Sequence, residues 1–154
     1  MARKLNPSAT VAAMMVDAHR AFEARMACLP EALDFVAAFC EQGGVGPQEA
    51  LRLALIVEEL FTNTVVHGHG GDCAARIGLA LRVDPARVEL LYEDAARSFD
   101  PRTALAGERT ELEADLADRP VGRLGIALVV EMASSFSHAY EDGKNRLRLS
   151  VARS

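Results

Sequence analysis

Two stretches of the chain repeat apolar residues at helical spacing. In "LPEALDFVAAFCEQGG", Leu33, Val36, Ala37 and Cys40 fall on one side of a helix that starts at Pro30 and stops at Gly43 and Gly44. A second helix begins at Pro47, after Gly46, and runs to about His67. Its segment "ALRLALIVEEL" is apolar on nearly every side, as in a helix buried within a domain. Alternation then takes over. Ile77, Leu79, Leu81 and Val83 point one way, "DPA" (84–86) is a turn, and "RVELLYED" (87–94) is the returning strand. Residues 97–121 break the pattern, with Pro101, Gly107 and Pro120 around the charged "ERTELEADLAD". A connection of that length in a small domain is usually functional, often a lid. "GIALVVEMA" (125–133) predicts a short apolar helix. The chain closes as a hairpin in which Phe136, His138 and Tyr140 face one way, "EDGKN" turns, and Leu147, Leu149 and Val151 return. Ahead of the first helix, "AFEARMA" (21–27) reads as a short strand and "TVAAMMVDAHR" as a short, poorly capped helix. Residues 1–20 are therefore an N-terminal extension, and 21–154 form the domain. Helices apolar on one face, combined with alternating strands, predict an α+β fold built as a two-layer sandwich.

Composition narrows the class. A chain of 154 residues has room for one domain with a real hydrophobic core. A net charge of −5 argues against a nucleic-acid binder that works through a basic face. No stretch is long and apolar enough to span a bilayer, and "MARKLNPSAT" has no apolar core behind its basic residues, so it is not a secretory signal. Cys28, Cys40 and Cys73 are an odd number at no metal-ligand spacing and read as reduced thiols of a cytoplasmic protein.

Candidate chemistry begins in "EELFTNTVVHGHGGD" (58–72). Glu59 and Asn63 are four residues apart, so they are neighbours on one helix surface. Leu55, Ile56 and Val66 are their nearest companions, and a buried, unpaired carboxylate costs several kcal/mol or changes its protonation state. A divalent cation held partly by the Asn63 carbonyl oxygen would make the pair sensible, and Mg²⁺ takes such oxygen ligands. The plainer alternative has Glu59 reaching an edge and Asn63 capping a neighbouring turn. Glu58, with no polar partner four residues on, reads as a solvated charge. Two more stretches bear on the choice. "YEDAARSFDP" (92–101) ends a strand in Asp94 and leads into the lid, and "PVGRLGIALV" (120–129) ends the lid in glycines and opens a helix, an arrangement suited to phosphate. His67, His69 and Cys73 in "HGHGGDC" leave a zinc site open as a further alternative, against a simple polar turn.

With these three segments in this order, the chain resembles the histidine-kinase-like ATPase superfamily, whose ATP fold also serves DNA gyrase, mismatch-repair ATPases and heat-shock chaperones. Within it, the sequence is similar to the small anti-sigma factor serine/threonine protein kinases, over roughly residues 21–152. "EELFTNTVVHG" (58–68) matches the family's first box, "EDAARSFDP" (93–101) the second and "GRLGIALV" (122–129) the third, and "GKNRLRLSV" resembles its terminal strand. The resemblance implies a Bergerat-type fold with a mixed sheet covered by helices on one face. It implies ATP and Mg²⁺ as cofactors, Asn63 as the metal ligand, Glu59 as the general base, and Asp94 as acceptor of the adenine amino group. Ala96, Gly122, Leu124 and Gly125 complete the cofactor-binding set. The partners it implies are a small antagonist domain phosphorylated on serine or threonine, a sigma factor or comparable target, and a second copy in a homodimer. One departure stands out: the second box of the family reads Asp-x-Gly, and its third position here is Ala96. That residue favours the alternative of a partner-binding module of the same fold that handles nucleotide weakly or not at all. A sensor histidine kinase is disfavoured, because too few residues remain for a separate phospho-accepting helical domain.

Overall fold

In the computed structural model, which describes residues 16–100 and 123–154, the first element is strand β1, Val16–Glu23. A short 3₁₀ turn, Met26–Cys28, leads into α1, Leu29–Gln42, and then α2, Pro47–Asn63, which continues as a π-turn over Thr64–Gly68. Strands β2, Arg76–Val83, and β3, Arg87–Asp94, follow as a hairpin. After the undescribed part of the expected lid come α3, Arg123–Met132, β4, Ser135–Glu141, and β5, Lys144–Ala152.

Residues 16–20, expected in a helix, belong instead to β1, and that strand ends at Glu23 rather than running to residue 27. The cause is a partner the local pattern does not show. β1 pairs along its whole length with β2, from Val16 opposite Val83 to Glu23 opposite Arg76, which satisfies backbone groups that an uncapped helix end leaves open. The sheet therefore includes residues before 21.

The sheet order is β1-β2-β3-β5-β4, and all four pairings are antiparallel. The expectation of a mixed sheet is thereby corrected for the described strands. Between β1 and β2 the chain makes a helical hairpin, turning over the four residues 43–46, so it returns to the end of the sheet that it left. Bonds from Ala24 N to Ala75 O and from Cys73 N to Ala24 O join those two ends. The β2–β3 and β4–β5 pairs are tight hairpins, while β5 reaches β3 only after α3 and β4. Asp84 Oδ1 accepts from the N–H groups of Ala86 and Arg87 at the β2–β3 turn. Asp142 (φ 55°) and Gly143 (φ 73°) form the two-residue turn between β4 and β5, where positive φ at both positions matches the strand twist.

The alternation read from the sequence sets the inner face. Ile77, Leu79, Leu81 and Val83 of β2, Val88, Leu90 and Tyr92 of β3, and Leu147, Leu149 and Val151 of β5 are all buried there. They form one core with Val36 and Phe39 of α1 and with Leu53, Ile56, Val57, Leu60 and Phe61 of α2. The second helix is not buried all round, however. Leu51 is 61% exposed and Leu55 40%, so α2 lies on the core with an outer stripe open to solvent. α1 and α3 pack against it. None of the described helices is long and apolar enough to cross a membrane.

Candidate functional site around the end of α2

Glu59 and Asn63 lie in the last turns of α2, both half-buried at the margin of the exposed stripe, while Glu58 is exposed as expected. Partial burial pushes the Glu59 carboxyl above its usual range, and the neighbouring Glu58 charge adds to the effect. A carboxylate so placed is a better proton acceptor than a solvated one. Neither Glu59 nor Asn63 makes a side-chain hydrogen bond to another described residue, so the Asn63 amide oxygen is available as a hard ligand. That fits Mg²⁺, which takes few protein oxygens and keeps the rest of its shell for water and phosphate.

The inward face of β3 does not stop at Tyr92. Asp94, the last residue of the strand, continues it and is buried. Its carboxylate survives there because both oxygens are occupied by donors. Oδ1 accepts from the Ala96 N–H at 3.0 Å and from Asn145 Nδ2 at 2.9 Å, and Oδ2 accepts from the Thr64 hydroxyl at 2.9 Å. Thr64 is also 2.7 Å from the Tyr92 hydroxyl and 3.0 Å from the Leu60 carbonyl, to which Tyr92 is itself within 3.0 Å. Burial pushes the Tyr92 phenol well above its ordinary value, so it keeps its proton. The Thr64 proton goes to the carboxylate, and the single Tyr92 proton is shared between Thr64 Oγ1 and the Leu60 carbonyl.

The first and second boxes thus meet. Thr64, one residue beyond Asn63, holds Asp94. Gly68, at the end of the π-turn, lies against the Ala96 methyl, and Arg97 Nη2 reaches the His67 carbonyl at 3.5 Å. The π-turn creates this juncture by widening the last turn of the helix, with His69 N bonded to Thr64 O and Gly71 N to Val65 O. Gly70, at φ 72°, takes a left-handed conformation that lets the chain leave the helix there.

Ala96 is buried, and Asp142 is the one described non-glycine residue with positive φ. The alanine therefore carries no left-handed backbone strain, and its methyl is packed against Gly68. Gly122 lies outside the described residues, as does most of the expected lid. Leu124 and Gly125 fall in the first turn of α3, and only their backbone is described. No group of three metal-ligating His, Cys, Asp or Glu side chains gathers among the described residues, so the zinc alternative around His67, His69 and Cys73 gains no support.

Two polar residues of this site were not singled out from the sequence: Thr64 and Asn145. A signal for each was present. Thr64 falls on the line of Leu53, Val57 and Leu60, the buried side of α2, and Asn145 extends the alternating set Leu147, Leu149 and Val151 by one step. A polar residue on the core face of an otherwise apolar series needs a buried partner.

Residues 22–151 match the family model described as the histidine kinase-like ATPase domain, a match that spans well over half of the chain. No curated protein matches the chain.

Proposed function

The chain belongs to the histidine kinase-like ATPase domain family, and on that premise we propose that it is an ATP- and Mg²⁺-dependent protein serine/threonine kinase of the anti-sigma factor type. In this reading it works in the bacterial cytoplasm as a homodimer. It holds a sigma factor or equivalent target, and it phosphorylates a small antagonist domain on serine or threonine. The observation that carries the reading is the junction of Asp94 with the end of α2 through Thr64, next to a retained Glu59–Asn63 pair.

In this reading each residue has a distinct role. Asp94 presents a buried, fixed carboxylate, and only its Oδ2 has an acceptor position not already filled by a described donor. An adenine amino group would donate there, and guanine would present a carbonyl to the same oxygen and be rejected. Asn63 would hold Mg²⁺ through its amide oxygen, and the metal supplies charge neutralisation and orientation of the phosphates. Glu59, raised in basicity by partial burial, would take the proton of the incoming serine or threonine hydroxyl. Leu124 and Gly125, in the first turn of α3, together with Gly122, would bring backbone N–H groups to the phosphates.

The alternative of a binding module without nucleotide chemistry rested on Ala96. It weakens once that residue has ordinary backbone geometry and donates its N–H to Asp94 at 3.0 Å. Calorimetry with Mg-ATP on the wild type, Asn63→Ala and Asp94→Asn is the test. Micromolar binding, lost or weakened at least tenfold in both variants, supports the reading. Phosphate transfer to a co-purified antagonist, abolished in Glu59→Gln with ATP binding intact, completes it. A wild type that binds no Mg-ATP would overturn it in favour of the binding module.

A further inference from the structure

Asn145 stands directly opposite Asp94 in the β3–β5 register and is 2% exposed. Every hydrogen-bonding capacity of its amide is taken. The two protons of Nδ2 are shared among Asp94 Oδ1 at 2.9 Å, the Arg97 carbonyl at 2.9 Å and the more distant Ala96 carbonyl at 3.2 Å. Oδ1 accepts from the Phe99 N–H at 2.9 Å and from His138 Nε2 at 2.9 Å. The orientation of the amide is decided by this set, because a flip would turn its oxygen toward a carboxylate and two carbonyls. It decides the role of the histidine as well: Nε2 donates, and Nδ1 faces the Asp100 carboxylate at 3.9 Å.

We propose that Asn145 is the positioning residue that ties adenine recognition by Asp94 to the chain leaving β3, so that one amide sets both the direction of the carboxylate and the path of residues 96–99. The proposal rests on the ATP reading for its base-recognition half, while the anchoring half stands on the fold alone. Asp94 itself holds the Ala96 N–H and Arg97 reaches the His67 carbonyl, but Asn145 is the described side chain that joins Asp94 to Ala96, Arg97 and Phe99 at once. Ala96, Arg97 and Phe99 have left the strand ladder, and Asn145 supplies a partner to two of their carbonyls and one N–H. With Oδ1 of Asp94 saturated by Ala96 and Asn145, Oδ2 is turned toward Thr64 and toward the position a base would take. His138 locks the amide from the edge strand β4, from a place that does not touch Asp94.

Two readouts test it. Amide hydrogen exchange at Phe99, without nucleotide, should quicken at least tenfold in Asn145→Ala and by a smaller factor in His138→Ala. Calorimetry should show ATP and ADP weakened by the same factor, about tenfold or more, because the disturbed end is the base and not the γ-phosphate. His138→Ala, on a half-buried edge strand, carries the test if Asn145→Ala does not fold. Unchanged exchange at Phe99 would overturn the anchor with the ATP reading intact. Quickened exchange with unchanged nucleotide affinity would overturn the coupling. A wild type that binds neither nucleotide would overturn the ATP reading and the base-recognition half, and the exchange result would still decide the anchor.

Discussion

Replacing Gly68 by alanine should destabilise this protein, although the same change at an unobstructed site does the opposite. Gly68 lacks a positive φ, and at such a position Gly→Ala stabilises by about 0.4–1 kcal/mol through the unfolded chain. Here the new Cβ would stand 2.8 Å from the Ala96 Cβ, well inside the roughly 3.5–4.0 Å at which two carbons rest. Ala96 is poorly able to retreat, because its N–H is held by Asp94 Oδ1 at 3.0 Å and its carbonyl by Asn145 Nδ2 at 3.2 Å. Overpacking of this kind costs about 1–3 kcal/mol, which exceeds the gain. The net loss should be about 1–2 kcal/mol, with the melting temperature falling roughly 2–4 °C per kcal/mol in a domain of this size. Urea denaturation of Gly68→Ala, Ala96→Gly and the double variant measures the coupling. Ala96→Gly alone should destabilise, by losing a buried methyl and adding unfolded-state freedom. Introduced into the Gly68→Ala background, it should be neutral or stabilising, a reversal of sign. A Gly68→Ala variant as stable as the wild type, or simple additivity in the cycle, would refute the reasoning.

Three further outcomes are expected. Glu59 has its folded pKa raised, so its ionised form is disfavoured in the native state and stability is lost as pH rises through that raised value. Glu59→Gln should accordingly be more stable than wild type at neutral pH, the difference vanishing below the ordinary carboxylate range; thermal melts across pH 3–8 would show it, and a pH-independent difference would contradict it. Glu49 behaves oppositely. Hydrogen bonds from the Ser154 hydroxyl at 2.7 Å and the Ser154 N–H at 3.1 Å help to hold its carboxyl below the usual range, and the stability they contribute is lost as pH falls through that lowered value. Glu49→Gln should therefore be less stable at neutral pH and converge with wild type in acid, read by the same melts. Tyr92→Phe removes a fully buried hydroxyl that serves Thr64 and the Leu60 carbonyl, and should cost about 1–2 kcal/mol in urea denaturation while leaving the fold intact by circular dichroism.

The local pattern of the sequence determined much of this protein. Period-two alternation placed Ile77–Val83 and Leu147–Val151 on the core face, Pro and Gly bounded α1 and α2, and four-residue spacing put Glu59 and Asn63 on one helix surface. Those features depend on neighbours within a turn of helix or a few steps of strand, where side-chain direction is set by the backbone repeat. Pairing is a different matter. That residues 16–20 extend β1 depends on β2, some sixty residues away, and so does the antiparallel sense of the sheet. The Asp94–Asn145 pair, the Thr64 hydroxyl on the same carboxylate and the Gly68–Ala96 contact likewise join residues far apart in the chain. Even Ala96, which read as a departure at the nucleotide site, acquired its meaning from Gly68. Local periodicity tells which face a residue takes, and only the packed structure decides what it meets there.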